Sequence, residues 1–485
     1  MGALKKLVLA VIDGARPAMI DDAVADGQAP ALATLIERGR YVRDAVAAFP
    51  AVTPVCSATI ATGLSPDRHG IPSMNWFHRG ERRYVEYGSS FRAALRFGLG
   101  RQLTDTIYNM NGSHLAPEAL TVFERLDDAG LRTAGTTYLI YRGRHEQRPA
   151  QDGALARIAS LALVRRSVMG PRELFYADIF ASRETGCRST LGMPGVRDQH
   201  AGCVGSYLVR NDLFDFLLLS LPDNDAHSHR LGPDAQVAAI ANADRQLTRL
   251  FEAAGGEEEF LRDHAVIVVA DHGHTLVERT VSLGARFADF DVRRPTDMRP
   301  IDAAQIALCP AQRAAMVYVF GPAAKERVLA RARTIDGIEH VIWSEDGEAV
   351  VERAGAQLRF APGAEVADPR GRSWRLSGAA EALDLHITAG VARSDGYPDA
   401  LGRIWDALAC QQAGEVLLTA SEGAEFSDWG GAGHVGGGSH GSLAAGDSHA
   451  PLIWCGVEGA GEPADRAQWS IADVVPLIEA HFGLR

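Results

Sequence analysis

Short, nearly continuous apolar runs alternate with amphipathic stretches, and this alternation limits the folds open to the chain more than any other feature. The runs are "LVLAVID" (7–13), "TAGTTYLIY" (133–141), "DFLLLSLPD" (215–223), "AVIVVADHG" (265–273), "AMVYVFG" (315–321) and "EVLLTA" (415–420). A strand with one face in water alternates polar and apolar residues, whereas one covered on both faces reads as a continuous apolar run. Between the runs, "APALATLIERG" (29–39), "ALTVFERLDDAG" (119–130) and "DAQVAAIANADRQLTRLFEAAG" (234–255) carry apolar residues at helical spacing. Strand–helix alternation predicts an α/β fold, doubly wound, with a mostly parallel sheet and helices on both faces. We expect a single domain over residues 1–485. Two segments break the pattern. Residues 73–118, rich in arginine and aromatics, predict a lid or cap, and residues 337–395 predict a small β-rich insertion.

Charge and cysteine usage narrow the function. A net charge of −12 argues against a nucleic-acid binder. The six cysteines (56, 187, 203, 309, 410 and 455) lack CxxC spacing, so neither a disulfide framework nor a zinc ribbon is expected. The opening "MGALKKLVLAVIDG" has too short an apolar stretch for a secretory signal. It is also a poor acylation signal, since Lys6 stands where Ser or Thr is needed. No run approaches the ~18 apolar residues that span a bilayer. The expectation is a cytoplasmic protein with reduced thiols and no membrane partner.

Ligands of open α/β sheets bind beyond the carboxyl ends of the strands, and unusual polar residues gather at those positions. The first run ends in Asp13-Gly14, the third opens into "PDNDAHSHRLGP" (222–233), and the fourth ends in "DHGH" (271–274). A late glycine-rich segment reads "GGAGHVGGGSHGS" (430–442). Each has a bland reading as a turn or a solvated loop, but their joint occurrence at strand ends points to a site. Asp and His spaced by four share one helix face and suit zinc, manganese or iron(II). Two registers offer that spacing, Asp225/His229 and Asp223/His227.

The segment "FPAVTPVCSATIATGLSPDRHGI" (49–71) supplies a reactive group. With Thr53 as N-cap and Pro54 in the first helical position, a helix runs to Gly63, its positive end facing the threonine. Free N–H groups there would favour a phosphoryl group on the threonine oxygen. A threonine hydroxyl is a weak nucleophile unless a base or a metal activates it. Cys56, one turn further on, is the competing nucleophile and is expected to face the core.

In this order, "VIDGARP", "FPAVTPVCSATIATGLSPDRHGI", "DNDAHSHRLGP", "VVADHGH" and "GGSHGS" resemble the alkaline phosphatase superfamily. The resemblance is strongest to its type I phosphodiesterase/nucleotide pyrophosphatase branch. It implies two divalent metal ions, normally Zn2+, with Mn2+ or Fe2+ possible. Asp13, Thr53, Asp271 and His272 would hold one, and Asp225, His229 and His440 the other. The Gly-Pro that follows selects Asp225/His229 over Asp223/His227. Thr53 would be the nucleophile, transiently phosphorylated, acting on a small-molecule phosphoester. His227, His274, His434 and His449 stay outside the implied ligand set as neighbours.

The match has departures. Related enzymes place an asparagine soon after "HGI" to bind a phosphoryl oxygen. Here Met74 and Asn75 compete for that position, and Asn75 is the candidate. Monoesterases of the group carry a Lys and an Arg two apart, whereas "YLIYRGR" offers Arg142 and Arg144 and no lysine. Arg142 is the candidate substrate-binding cation, and the missing lysine favours a phosphodiester or pyrophosphate over a monoester. The alternatives are a phosphomonoesterase, a phosphonate hydrolase and a non-catalytic phospholigand-binding protein. Trp76, Phe77, His78, Arg79, Arg82 and Arg83 form either a leaving-group pocket or a packed lid.

Overall fold

The structure is a computed structural model that describes residues 4–149, 166–177, 179–189, 193, 195–297 and 299–484. Its centre is an eight-stranded sheet. The order is Arg40–Val46, His449–Cys455, His264–Val269, Lys6–Ile12, Phe216–Leu221, Thr133–Gly135, Glu173–Tyr176 and Phe180–Ala181. The middle pairings are parallel and the edge pairings antiparallel. The inner strands Phe216–Leu221 and His264–Val269 are buried at every residue, which is why they read as unbroken apolar runs. Helices Arg197–Arg210 and Val237–Ala253 pack on each other, and the former also packs on the Phe216–Leu221 strand. Helix Thr53–Thr62 packs against Val122–Asp128 and Val474–His481 and is buried along nearly its whole length. This is a mixed α/β fold with a large, mostly parallel central sheet.

Two of the runs read as parallel strands belong elsewhere. Ala314–Val319 and Val416–Ala420 pair antiparallel inside a second, ten-stranded sheet. A continuous apolar run reports burial on both faces, not strand direction, and both strands are buried almost throughout. The 133–141 run is a strand only over Thr133–Gly135; Tyr138, Ile140 and Tyr141 are buried without one. Residues 338–393 contribute six strands to the second sheet. Residues 75–114 form the hairpin Asn75–His78/Arg83–Glu86, two short helices and a π-helix.

The expectation of reduced thiols fails at one pair. Cys187 and Cys203 are joined, with Cα atoms 5.9 Å apart, while Cys56, Cys309, Cys410 and Cys455 are free and buried. Helix Arg197–Arg210 carries Cys203 to Cys187, a proximity that their 16-residue separation does not announce. Among the described residues, no helix is long and apolar enough to cross a membrane.

One buried ion pair fastens the second sheet to the loops beyond the central sheet. Arg313 donates from Nε to Asp447 Oδ2 at 2.9 Å and from Nη1 to the carbonyls of Ser421 and Ala424. Asp447 also accepts the Ser442 N–H and the Thr275 hydroxyl. A carboxylate buried with this many donors is held ionised, and the neighbouring charge and hydrogen bonds keep Asp447 below its usual range despite burial.

Candidate metal centre

Parallel register places three acidic strand ends side by side. Ile12 pairs with Leu221 and Val11 with Val269, so Asp13 and Asp271 stand level just beyond their strands. Gly14 turns the chain away with a positive φ of 65°. A Cβ there would lie 2.5 Å from His274 Nε2, so the turn admits no side chain. Beyond Leu221 the chain enters helix Asp223–Leu231, which presents Asp225 and His229 on one face. His440 arrives from the late glycine-rich segment. There Gly438–Ser439 pairs antiparallel with Thr275–Leu276, a pairing that also sets His274 beside His440.

The side chains form two groups that share one carboxylate. Asp225, His229, His274 and His440 converge in one, and Asp13, Asp225 and His272 in the other. Asp225 Oδ1 lies 3.3 Å from His229 Nε2, 3.0 Å from His274 Nε2 and 3.5 Å from His440 Nε2. His272 Nε2 lies 3.3 Å from Asp271 Oδ2, 3.7 Å from Asp13 Oδ1 and 3.2 Å from Thr53 Oγ1. Seven residues expected at the site are thus brought together: Asp13, Thr53, Asp225, His229, Asp271, His272 and His440. His274, left outside the ligand set in the sequence reading, joins them. The signal was present in "DHGH", but only the small sheet brings its second histidine inward.

Backbone carbonyls fix the imidazoles. His229 Nδ1 donates to the Gly438 carbonyl (2.7 Å), His440 Nδ1 to that of Ala51 (2.7 Å) and His272 Nδ1 to that of Gly273 (3.1 Å). A carbonyl only accepts, so each Nδ1 bears the proton and each Nε2 turns a lone pair toward the carboxylates. This is the support that metal-ligating histidines normally receive. Asp13 Oδ1, Asp271 Oδ2 and His440 Nε2 are buried without a hydrogen-bond partner. Oxygen and nitrogen donors with orphaned lone pairs in so small a volume fit divalent cations.

The electrostatics agree. Burial pushes Asp13 well up, with Asp271 and Asp225 adding repulsion, and raises Asp271 to about 6. Burial lowers His272 and His440 to about 4. Burial would raise Asp225 as well, but His229 beside it and the imidazoles of His274 and His440 around it hold it well below the carboxylate range. Carboxylates packed this closely repel one another, a cost that bound cations would remove as they displace the protons.

Thr53 is the first residue of its helix rather than the cap, a role taken by Val52. Its hydroxyl points to His272 instead of back to the helix. The Val55 and Cys56 N–H groups are both bonded to the Val52 carbonyl, and Pro54 has none. The helix therefore offers the threonine its dipole rather than a cradle of free N–H groups. Cys56 is fully buried, and that burial raises its thiol well above the ordinary range.

A cavity of about 330 Å3 opens beside Thr53, Asp13, Asp225 and Asp271. Its wall includes Met74, Tyr138, Tyr176 and Arg197. Two expectations are corrected here. Asn75 is buried in a hairpin strand, and its amide donates to the Val85 carbonyl, so Met74 and not Asn75 meets the cavity. Strand alternation turns adjacent side chains to opposite faces. Arg142 pairs with Glu124 and donates to the carbonyls of Leu115, Ala116 and Ala119, pinning that loop instead of lining the site. The cation on the cavity wall is Arg197, oriented by Asp223 and by the Pro222 carbonyl. Trp76 and Phe77 are core residues, while Arg83 pairs with Asp105 and Arg79 with Glu415.

An α/β sheet that gathers these groups beyond its parallel strand ends is the arrangement of the alkaline phosphatase superfamily. The type I phosphodiesterase/nucleotide pyrophosphatase family model matches residues 7–354, and the chain belongs to that family. It is a hydrolase of phosphoric ester bonds. No curated protein matches the sequence. Among solved structures, phosphonoacetate hydrolase from Sinorhizobium meliloti 1021 in complex with phosphonoacetate is 16% identical. That match has a TM-score of 0.57 over 99% of this chain and 96% of that one. Murine ectonucleotide pyrophosphatase/phosphodiesterase 5, in an inactive threonine-to-alanine form with AMP, is 13% identical with a TM-score of 0.57, covering 99% and 95%. The human counterpart is 15% identical with a TM-score of 0.55, covering 98% and 94%. At these identities the likeness is one of fold.

Proposed function

We propose that the protein hydrolyses a phosphodiester or pyrophosphate bond through a phosphorylated Thr53. The observation that carries this is the position of Thr53 Oγ1, 3.2 Å from His272 Nε2 of the Asp13–Asp225–His272 group and on the wall of the cavity that Asp225 also lines. Asp13, Thr53, Asp271 and His272 would hold one divalent cation, a donor set that suits zinc, and Asp225, His229 and His440 the other. Such a pair supplies, when bound, Lewis acidity toward both the attacking and the leaving oxygen. Thr53 Oγ1 forms the new P–O bond as the ester bond to the leaving group breaks. Water then cleaves the phosphothreonine and restores the hydroxyl. The dipole of helix Thr53–Thr62 favours negative charge at Thr53 through both steps.

The test is Thr53→Ala, with turnover of a chromogenic aryl phosphodiester and metal content measured on one preparation. The expected result is loss of at least about a thousandfold in rate with metal largely retained. Mass spectrometry of acid-quenched wild-type enzyme should find phosphate on Thr53. Undiminished turnover in the variant would remove Thr53 from the reaction.

Arg197 supports a second reading. A cation on the cavity wall suits a substrate with a further anionic group, such as a phosphonate bearing a carboxylate. Parallel rates for a diester, a monoester and such a phosphonate separate the two readings.

A further inference from the structure

The cavity wall runs through Tyr87 and Gly88 into a helical segment that the chemistry leaves unexplained. Helix Phe91–Phe97 buries Ala93 and Ala94 and turns its other side outward. Phe91 is 70% exposed, Leu95 59% and, just past the break at Gly98, Leu99 44%. Phe91 is the one aromatic among the large apolar side chains that the described residues leave exposed. Arg92, Arg96 and Arg101 stand among them, all exposed and none ion-paired among the described residues. Residues 87–104 contain these three cations and no Asp or Glu, in a chain of net charge −12.

We infer that this face docks on an anionic lipid bilayer. Phe91, Leu95 and Leu99 enter the boundary between headgroups and acyl chains, and the arginines meet anionic headgroups. Apolar side chains interleaved with cations form the pattern of helices that lie in a membrane interface, and arginine stems can cover apolar surface while their heads stay at the polar level. Charge fixes the orientation. An acidic protein is repelled by an anionic surface except where a local cationic patch lies within a Debye length of it. This patch is such a place, and it brings the Tyr87 edge of the cavity toward the bilayer. The segment is anchored to the body, since Ser89 and Ser90 both donate to Asp428, so docking requires no opening of the fold.

Other occupants fit less well. A nucleic acid would engage the arginines but leave Phe91 and two leucines in water. A second copy of the chain needs about 800 Å2 per partner for a stable interface, more than three protruding side chains supply. The chain, expected from its sequence to have no membrane partner, would thus meet a bilayer at its periphery, and among the described residues no helix is long and apolar enough to cross it. This inference stands apart from the proposed chemistry, because its test reads binding and not turnover.

The experiment is co-sedimentation of the full chain with phosphatidylcholine vesicles and with vesicles containing about 30 mol% phosphatidylglycerol. Binding is expected to the anionic vesicles only, and to weaken as salt is raised. Phe91→Ser with Leu95→Ser, and separately Arg92→Gln with Arg96→Gln, should each weaken it at least tenfold. Arg210→Gln, an exposed position on another helix, should not. Equal thermal unfolding midpoints would show that the variants are folded, and the arginine pair serves should the apolar pair fail to fold. No binding to anionic vesicles, or binding unchanged in the variants, overturns the inference. So does a dimer in light scattering, or retention on single-stranded nucleic acid, that the variants abolish while vesicle binding is absent.

Discussion

His440 donates from Nδ1 to the carbonyl oxygen of Ala51, 2.7 Å away and two residues before Thr53. The Ala51 N–H in turn donates to the Gly441 carbonyl at 3.1 Å. The loop that carries Thr53 and the loop that carries His440 are therefore one unit. Buried Arg403 lies behind both, donating to the carbonyls of Ala48, Leu443 and Pro398. Arg403→Met is expected to weaken cation binding by about 10- to 100-fold, the usual effect of losing outer support. Arg403→Lys should recover part of it. Competition with a chromogenic chelator measures both, and equal affinity in all three proteins would show the loops to be held by other contacts.

Asp225 belongs to both ligand groups, whereas His229 belongs to one. Asp225→Asn is expected to lose both cations, and His229→Ala one, by elemental analysis after dialysis. Equal losses in the two variants would mean that Asp225 does not sit between two ions.

Acid should act in part through His69, away from the candidate metal centre. His69 is buried. It accepts the Ile71 N–H at Nδ1 and faces the Thr59 hydroxyl at Nε2, and burial lowers it to about 3. In the unfolded chain the same group titrates near 6.5. Between those values the unfolded state binds more protons, so the stabilisation that His69 gives is complete above about 6.5 and declines as the pH falls toward 3. The slope is at most about 1.4 kcal/mol per pH unit. Urea midpoints of the wild type and His69→Asn should converge as pH drops from 7 to 4; a constant gap would contradict the sign.

The disulfide is checked by counting thiols. Alkylation of the unfolded, unreduced protein should label four cysteines, and six after reduction. Closing a 16-residue loop is worth about 3 kcal/mol in the chain-entropy account, so reduction should lower the thermal midpoint by several degrees. Six labels before reduction would mean that the bond is absent.

The sequence was most informative where burial alone shapes the pattern. The inner strands, the helices between them and the glycine that ends the Thr53 helix all follow from local composition and periodicity. Strand direction did not, because Ala314–Val319 and Val416–Ala420 are covered like parallel strands yet pair antiparallel. The same limit applies at the site. Asp13, Asp225 and Asp271 announce themselves as polar residues directly after apolar strands, and parallel register makes them neighbours.

Tertiary contacts settled the rest. His274 reaches Asp225 through a pairing between Thr275 and Ser439, segments far apart in the chain. The pleat of a short hairpin decides that Met74 and not Asn75 meets the cavity. Arg142 and Arg197 look alike in sequence, but a cluster of carbonyls holds the first and a strand-end aspartate aims the second. Composition fixed which residues are buried and which chemistry they can do, because both depend on side-chain type. Which of them meet was left to packing, since convergence depends on register and on contacts that no local pattern encodes.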